Sequence, residues 1–401
     1  MSIRNKTIKI GLITSLIILV IICGFLASKK NNKLKLSKNA DSNILSTWDM
    51  DMTPQKKDIA SLNSYIKKDD MMYMFCNGMI FKWDCKSSEF RPACDDPTCD
   101  HTEEGCKAYL PYARYECVSY YNDHWIFVEK ESNNRYYLGY CDFDGNNRKK
   151  VIDISEDVQG FDIMMYLDFH DGKIYLSYNA LVTINGDSGW DTKVRLCVME
   201  YDVKLIGSNK AYSRELLVCD DETEWHLLSV CDGKMSIDVP IKTADPYNEY
   251  GDYRIYNLND LSYTTYKNTL CISLFPNGYY ASQEKDGLFL INNEKKIRLD
   301  DPGWVIAFYD DNRIYAINTI YRQRKTYEDG VTPDAELKVY DFDGHTLDHL
   351  TLPKDYSIIG SIALFDGRFY MTNIDRQTSG FFYVYDTQNP DKKWKKITRK
   401  Y

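Results

Sequence analysis

Three cysteines and one histidine lie within thirteen residues of one another in this 401-residue chain. The stretch reads CDDPTCDHTEEGC, with the spacing C-x4-C-x-H-x4-C, and its candidate ligands are Cys94, Cys99, His101 and Cys106. Three thiolates and one imidazole are a common tetrahedral ligand set for zinc, and four protein ligands leave no open position for water or substrate. The cysteine-rich loop 94–106 therefore predicts structural zinc rather than a catalytic metal.

The backbone between Cys99 and His101 must bend if both side chains are to reach one ion, because only one residue separates them. Pro97 and a glycine near the end of the loop permit such a bend. The acidic residues of the loop are candidates to accept a hydrogen bond from the imidazole, namely Asp95, Asp96, Asp100, Glu103 and Glu104.

Disulfide chemistry is the alternative for the same loop. A bond between Cys94 and Cys106, or unligated thiols, would also account for the cluster. The chain has twelve cysteines, but many of the others stand in apolar segments such as RLCVMEY and TLCISLF. We interpret those as small buried hydrophobic residues. This use of cysteine suits a reducing or anoxic habitat better than a disulfide-stapled secreted domain.

Other chemistry is sparse. Trp190 and Trp304 stand among Gly and Asp, in predicted loops, and are candidate binding residues that could stack on a sugar. The sequence shows no nucleophile elbow, P-loop or dinucleotide fingerprint, so we predict no catalytic residue and no organic cofactor. Two DFDG segments are interpreted as hairpin turns rather than calcium loops, since Gly falls at the fourth position and not the sixth.

Beyond residue 70, apolar segments that resemble strands alternate with turns carrying Asn or Asp. Seven strand–turn–strand units can be aligned: YMFCNGMIFKWD (73–84), SYYNDHWIFVEK (119–130), DFHDGKIYLSYN (168–179), LSVCDGKMSIDV (228–239), SLFPNGYYASQE (273–284), AFYDDNRIYAIN (307–318) and ALFDGRFYMTNI (363–374). A second hairpin after several units makes four strands per repeat, at the roughly 40–50-residue period of propeller blades.

The predicted fold class is thus all-β, a β-propeller of about seven four-stranded blades over residues 56–401. Six or eight blades are the alternatives, because residues 240–270 are irregular. We expect a strand from residues 56–69 to close the ring by pairing with the last blade.

The recurring DG-x-apolar-Y and Y-D-x-D-G patterns, with the CDDPTCDHTEEGC stretch, resemble exported, membrane-anchored β-propeller proteins of Gram-positive anaerobic bacteria. The resemblance covers essentially the whole body of the chain. It implies the architecture and assigns no catalytic residue.

The N-terminus carries a targeting signal. Residues 1–9 form a basic tail, and residues 10–28 are uncharged and long enough to cross a bilayer as one helix. We predict an uncleaved, single-pass signal anchor in the cell membrane, with a cleaved signal or a lipid on Cys23 as alternatives. Residues 29–55 are interpreted as a flexible linker. We expect residues 56–401 outside the cytoplasm, although more basic residues follow the span than precede it.

Charge and motifs limit the function. The formal net charge is −9, and the first forty residues contain bases but no acids, so the body is more acidic still. Nucleic acid is therefore not an expected partner. We predict a monomeric, non-enzymatic binding or scaffold module for a protein or glycan of the cell envelope. The alternative is a carbohydrate-active hydrolase or lyase with its site in the propeller channel.

Overall fold

A computed structural model of the chain describes residues 56–57 and 64–398 with internal gaps. The gaps are residues 77, 85–88, 102–104, 111–117, 122–123, 132–134, 156–164, 171–172, 187–188, 203–212, 222–225, 240–250, 311, 319–329, 331–332, 354–361, 366, 374–380 and 389–392. The predicted tail, membrane span and linker (1–9, 10–28 and 29–55) lie outside the described residues. Among the residues described, no helix is long and apolar enough to cross a membrane.

The regular structure in the described part consists of antiparallel strands and one 3₁₀ turn at Pro276–Gly278. Sheet I contains β2 (Ser64–Lys68), β3 (Met71–Cys76), β4 (Met79–Asp84) and β5 (Glu89–Pro92). Sheet II contains β6 (Val118–Tyr121), β7 (His124–Lys130), β8 (Tyr136–Asp142) and β9 (Lys149–Asp153). Sheet III contains β10 (Met165–His170), β11 (Lys173–Gly186), β12 (Gly189–Asp202) and β13 (Ser213–Asp221).

The later sheets vary in strand number. Sheet IV contains β14 (His226–Cys231), β15 (Lys234–Val239), β16 (Gly251–Asn257), β17 (Tyr263–Leu274), β18 (Tyr280–Glu284), β19 (Gly287–Ile291) and β20 (Lys296–Asp300). Sheet V contains β1 (Lys56–Lys57), β21 (Val305–Tyr309), β22 (Ile314–Ile317), β23 (Glu336–Tyr340) and β24 (Thr346–Thr351). Sheet VI contains β25 (Ile362–Phe365), β26 (Arg368–Asn373), β27 (Phe381–Asp386) and β28 (Trp394–Thr398).

Turn chemistry explains where these strands begin and end. Asp232 and Gly233 both have positive φ, 50° and 67°, and connect β14 to β15 in two residues. Positive φ at both central residues is the geometry of the hairpin turns that Asp-Gly favours. The sequence prediction of a hairpin at this repeat is confirmed.

Sheet IV is long because one strand serves two groups of strands. Tyr263–Thr269 of β17 pairs with β16, and Thr269–Leu274 pairs with β18. Register shifts near Thr269 mark the point where the strand changes partner. β-bulges bend a strand and increase its twist, so one sheet can continue into the next group without a connecting loop.

Apolar side chains from successive sheets form common cores. Phe75 of sheet I, Trp125 of sheet II and Tyr370 of sheet VI belong to one buried cluster, so the last sheet packs against the first. Sheets V and VI share a second cluster that contains Phe308 and Phe369. Because neighbouring sheets cover both faces of a strand, many strands are buried throughout, not alternately. An all-β, propeller-like arrangement of sheets is thereby confirmed.

The expected ring closure was wrong in its partners. β1 pairs with β21 of sheet V, through Lys56 opposite Tyr309 and Lys57 opposite Phe308. β2, the second described strand within residues 56–69, belongs to sheet I. Among the strands that the structure describes, sheet VI contains only those of residues 362–398. Strand pairing over such sequence distances is set by packing, which local strand patterns do not encode.

Candidate metal centre

The backbone of Ile80 in β4 holds both ends of the cysteine-rich loop. Ala93 N–H donates to the Ile80 carbonyl at 2.9 Å, and Ile80 N–H donates to the Ala108 carbonyl at 2.8 Å. Cys94 follows Ala93 directly, and Cys106 precedes Ala108 by two residues. Sheet I therefore brings the first and last cysteines of the motif to the same place.

The chain between the two ends is bent by local hydrogen bonds. Cys99 N–H donates to the Asp96 carbonyl at 3.2 Å, closing a turn around Pro97. The Asp96 carboxylate accepts from Thr98 N–H at 2.9 Å and from the Thr98 hydroxyl at 2.7 Å. His101 has φ of +58°, a left-handed conformation uncommon for a residue other than glycine. The bend that the short spacing requires thus includes His101 itself.

The four candidate ligand atoms converge. The Sγ atoms of Cys94, Cys99 and Cys106 and a ring nitrogen of His101 all lie within 4.8 Å of one another. The Cys106 Sγ atom is 3.7 Å from His101 Nδ1. Tetrahedral zinc with ordinary Zn–S and Zn–N bonds places S and N about 3.6 Å apart. The Cys106–His101 distance therefore fits two ligands on one ion, and the cluster can hold a metal.

The burial of the ligands is unequal. Cys94 and Cys106 are each 4% exposed, whereas Cys99 and His101 are partly exposed. An ion at this position would lie at the edge of the core, reached from solvent past Cys99 and His101.

The raised pKa of the Cys106 thiol indicates that the cluster needs a cation to hold its sulfurs as thiolates. Burial, together with the neighbouring thiols of Cys99 and Cys94, raises the pKa of Cys106 to about 12, although the Ala108 N–H that donates to its sulfur acts in the opposite direction. Without a cation this thiol stays protonated at neutral pH. Three thiolates side by side need a positive ion, and binding of that ion releases protons.

An ion pair next to the cluster fixes the first ligand. Lys82, on β4 and only 8% exposed, contacts both carboxylate oxygens of Asp95 at 2.6 and 2.7 Å. Arg91 adds a contact to the same carboxylate at 2.6 Å. The hydrogen bond from Lys82, and then that from Arg91, lowers the pKa of Asp95 below its usual value against the opposing effect of burial.

These contacts correct the expectation for the two aspartates. In place of accepting from the imidazole, Asp95 pairs with Lys82 and Arg91, and Asp96 caps Thr98. Asp95 therefore anchors Cys94 to sheet I, and Asp96 shapes the turn that presents Cys99.

The end of the loop packs on sheet II. Gly145, in the turn after β8, has φ of +83°, and a Cβ atom there would lie 2.2 Å from the Lys107 carbonyl oxygen. Arg148 donates to the Tyr109 carbonyl at 3.3 Å. Gly145 was interpreted from the sequence only as part of a hairpin. The contact between Gly145 and the loop could not be predicted from the sequence, because the two segments are far apart along the chain.

The remaining candidates are separate from this cluster. Trp190 lies in strand β12, opposite Asn185 of β11, and not in the predicted loop; its role in binding stays a prediction. Trp304 is 4% exposed, and Lys338 Nζ lies 4.3 Å from its ring centroid. The structure thus packs Trp304 inside the core between sheets IV and V and does not present it as an open stacking platform.

The other described cysteines agree with the sequence interpretation. Cys141, Cys197 and Cys231 are each at most 5% exposed and lie in strands. They act as small hydrophobic residues in the core. The six cysteines that the structure describes as unbonded include the three of the cluster.

Comparisons with known proteins show a likeness of fold only. No family model matches the sequence, and no curated protein matches it. An acylaminoacyl peptidase structure is similar with 10% identity and a TM-score of 0.47, over 88% of this chain and 54% of that chain. A puromycin-hydrolyzing peptidase of Mycobacterium tuberculosis is similar with 9% identity and a TM-score of 0.47, over 92% and 56%. The β-propeller domain of the Trilobed protease from Pyrococcus furiosus has 11% identity and a TM-score of 0.42, over 86% and 97%.

These structures correct the predicted function. We expected a non-enzymatic binding or scaffold module for an envelope protein or glycan, or else a carbohydrate-active enzyme. The similar structures are instead mostly peptidases or a domain of one, so that prediction is wrong. The chain spans about half the length of the two whole peptidases compared above, and at about 10% identity an enzyme is not shown.

Proposed function

We propose that residues 94–106 bind one structural Zn²⁺ ion, and that the ion clasps the connection between sheets I and II. The observation that carries this proposal is the convergence of the ligand atoms of Cys94, Cys99, His101 and Cys106 within 4.8 Å. Three sulfurs and one imidazole nitrogen are the donor set that zinc prefers over magnesium, calcium or manganese.

A structural role agrees with the ligand count and with the surroundings. Four protein ligands complete a tetrahedron, whereas catalytic zinc sites keep a position for water or substrate. The segment just after Cys106 contacts both sheets, through Leu110 N–H to the Gly78 carbonyl at 2.8 Å and through Arg148 to Tyr109. An ion that cross-links this loop therefore stabilises the interface of the first two sheets.

Metal analysis tests the proposal directly. Full-length protein, purified with reductant under anaerobic conditions, should contain one zinc per chain by plasma mass spectrometry. Cys106→Ser should lose that zinc, and Cys141→Ser, which changes a buried cysteine outside the cluster, should keep it. Zinc-free wild-type protein that cannot be loaded under reducing conditions would exclude the site.

We further propose seven blades, counting sheet IV as two blades that share β17. The motivation is its change of partner near Thr269. Sheets I, II, III, V and VI then supply one blade each. An experimental structure with six or eight radial sheets would contradict this count.

The membrane anchor remains part of the proposal. A chain whose residues 10–28 form a single-pass anchor would carry the propeller outside the cytoplasm, as in the exported proteins that the sequence resembles. Protease treatment of intact cells should then digest the body. A body protected until the cells are lysed would contradict the proposed orientation.

A further inference from the structure

The three thiols of the cluster differ in their access to solvent. Cys94 and Cys106 are almost fully buried, whereas Cys99 is partly exposed. The Sγ atoms of Cys99 and Cys106 also lie within 4.8 Å of each other. A small oxidant arriving from solvent thus meets Cys99 first, with Cys106 as its neighbour.

The backbone around the thiols is held unequally. Cys94 follows the last ladder bond of sheet I, and the Asp95 ion pairs with Lys82 and Arg91 fix the next residue. The described backbone and Asp96 side-chain hydrogen bonds that hold the Asp96–Cys99 turn are local to it. Since a disulfide needs sulfurs about 2.05 Å apart, one thiol must move, and Cys99 is the one whose described backbone hydrogen bond stays within its own turn.

We propose, on the basis of the proposed zinc site, that peroxide oxidation joins Cys99 to Cys106 and releases the zinc ion. The loop is then a redox-sensitive clasp with a reduced, zinc-bound state and an oxidised, zinc-free state. The same cysteines serve both states because the ligand geometry already places their sulfurs together.

The chemistry balances with one molecule of hydrogen peroxide. The Cys99 thiolate attacks a peroxide oxygen and breaks the O–O bond, giving a sulfenic acid and a hydroxide that takes a proton from solvent. The Cys106 thiolate then attacks the Cys99 sulfur, forms the S–S bond and displaces a second hydroxide, which also takes a proton. Two thiolates lose two electrons, and one peroxide becomes two waters.

Loss of two sulfurs leaves Cys94 and His101 as the remaining ligands. Two ligands do not retain zinc in a site that needs four, so the ion leaves. The disulfide spans a shorter part of the loop than the ion does, because it no longer ties Cys94 to the other residues. Oxidation therefore loosens the attachment of the loop to the end of β5.

Peroxide titration of zinc-loaded, full-length protein tests the inference. A chromogenic chelator should report one zinc released for each disulfide formed. Mass spectrometry after alkylation of the remaining thiols should identify a Cys99–Cys106 peptide pair. Reduction with dithiothreitol and added zinc should restore the bound ion.

Cys99→His provides the matched variant, because two cysteines and two histidines are also a complete zinc set. It should bind zinc and release it at least about tenfold more slowly with peroxide, since the accessible thiol is gone. Cys141→Ala, which removes a thiol outside the cluster, should behave like the wild type.

The outcomes separate this inference from the zinc site itself. Reduced protein that never binds zinc overturns both. Protein that binds zinc but keeps it under peroxide overturns only the redox step. A mapped Cys94–Cys106 bond, or release through sulfinic acids without a disulfide, also overturns the redox step while the zinc site stands.

Discussion

The Nδ1 atom of His101 lies 3.7 Å from the Sγ atom of Cys106. Two atoms bound to one tetrahedral zinc ion lie at about this separation. This pair of ligands already lies at the separation that one ion requires, and all four ligand atoms lie within 4.8 Å of one another before any ion binds. Preformed ligands reduce the conformational entropy that binding must overcome.

Zinc should contribute to the stability of the wild-type protein and not to that of Cys106→Ser. A ligand that binds only the folded state stabilises it by about 4 kcal/mol at a free concentration 1,000 times its Kd. Thermal unfolding with zinc, and again with a zinc chelator, should show a lower Tm for chelated wild type and no change for Cys106→Ser. Equal shifts in both proteins would place the stabilising metal elsewhere.

The pH dependence of stability should differ between the zinc-free and zinc-bound forms. The raised pKa of Cys106, about 12 against an ordinary value of 9.0, means that the folded, zinc-free state retains the thiol proton more strongly than the unfolded state. Its contribution to stability is complete below pH 9 and is lost as the pH rises towards 12.

Zinc-bound protein should not show this alkaline loss, because the ion holds the sulfur as a thiolate in the folded state. Its affinity for zinc should fall instead as the pH decreases, since metal ligands must be deprotonated and protons compete with the ion for them. Denaturant unfolding of both forms between neutral and alkaline pH measures the difference. If the free energy of unfolding changed with pH in the same way for both forms, this prediction would be contradicted.

Gly145→Ala should destabilise the interface of the loop and sheet II. The added Cβ atom meets the Lys107 carbonyl oxygen at 2.2 Å, in addition to the strain of an alanine at φ +83°. Gly233→Ala is the matched control, since its φ is +67° and no atom lies within 4 Å of its added Cβ.

The control isolates the backbone strain, about 1–2 kcal/mol. The clash at residue 145 should add about 1–3 kcal/mol to this strain, the usual cost of overpacking. Urea unfolding of the two variants measures the difference. Equal losses would show that the loop does not press on Gly145.

Asp95→Asn should destabilise the protein by leaving the Lys82 ammonium without a carboxylate. Lys82 has a side chain only 10% exposed, whereas that of Asp95 is 59% exposed. Solvent screens the pair in part, so we expect a loss of about 1 kcal/mol.

Lys82→Met in the Asp95→Asn background should recover part of that loss, because a buried apolar chain needs no partner. Asp343→Asn is the control: its pair with Lys295 is exposed on both sides, and its effect should stay within about 0.5 kcal/mol. A loss at Asp95 no larger than at Asp343 would argue against an anchoring role for Asp95.

The amino-acid sequence determined the features that depend on near neighbours. Asp-Gly turns such as Asp232–Gly233 and the apolar segments around them predicted the hairpins, because turn geometry and strand propensity act over a few residues. The cluster from Cys94 to Cys106 was predictable for the same reason, as all four ligands belong to one short loop.

Tertiary structure alone decided which distant segments meet. Ile80 ties the two ends of the loop together, Gly145 receives it, β17 serves two groups of strands, and β1 pairs with β21. These choices depend on cores shared between sheets, such as the one that joins Phe75 to Tyr370. An apolar pattern of period two predicts which face of a strand is buried. It does not predict which sheet covers that face, because any apolar partner of suitable shape can bury it.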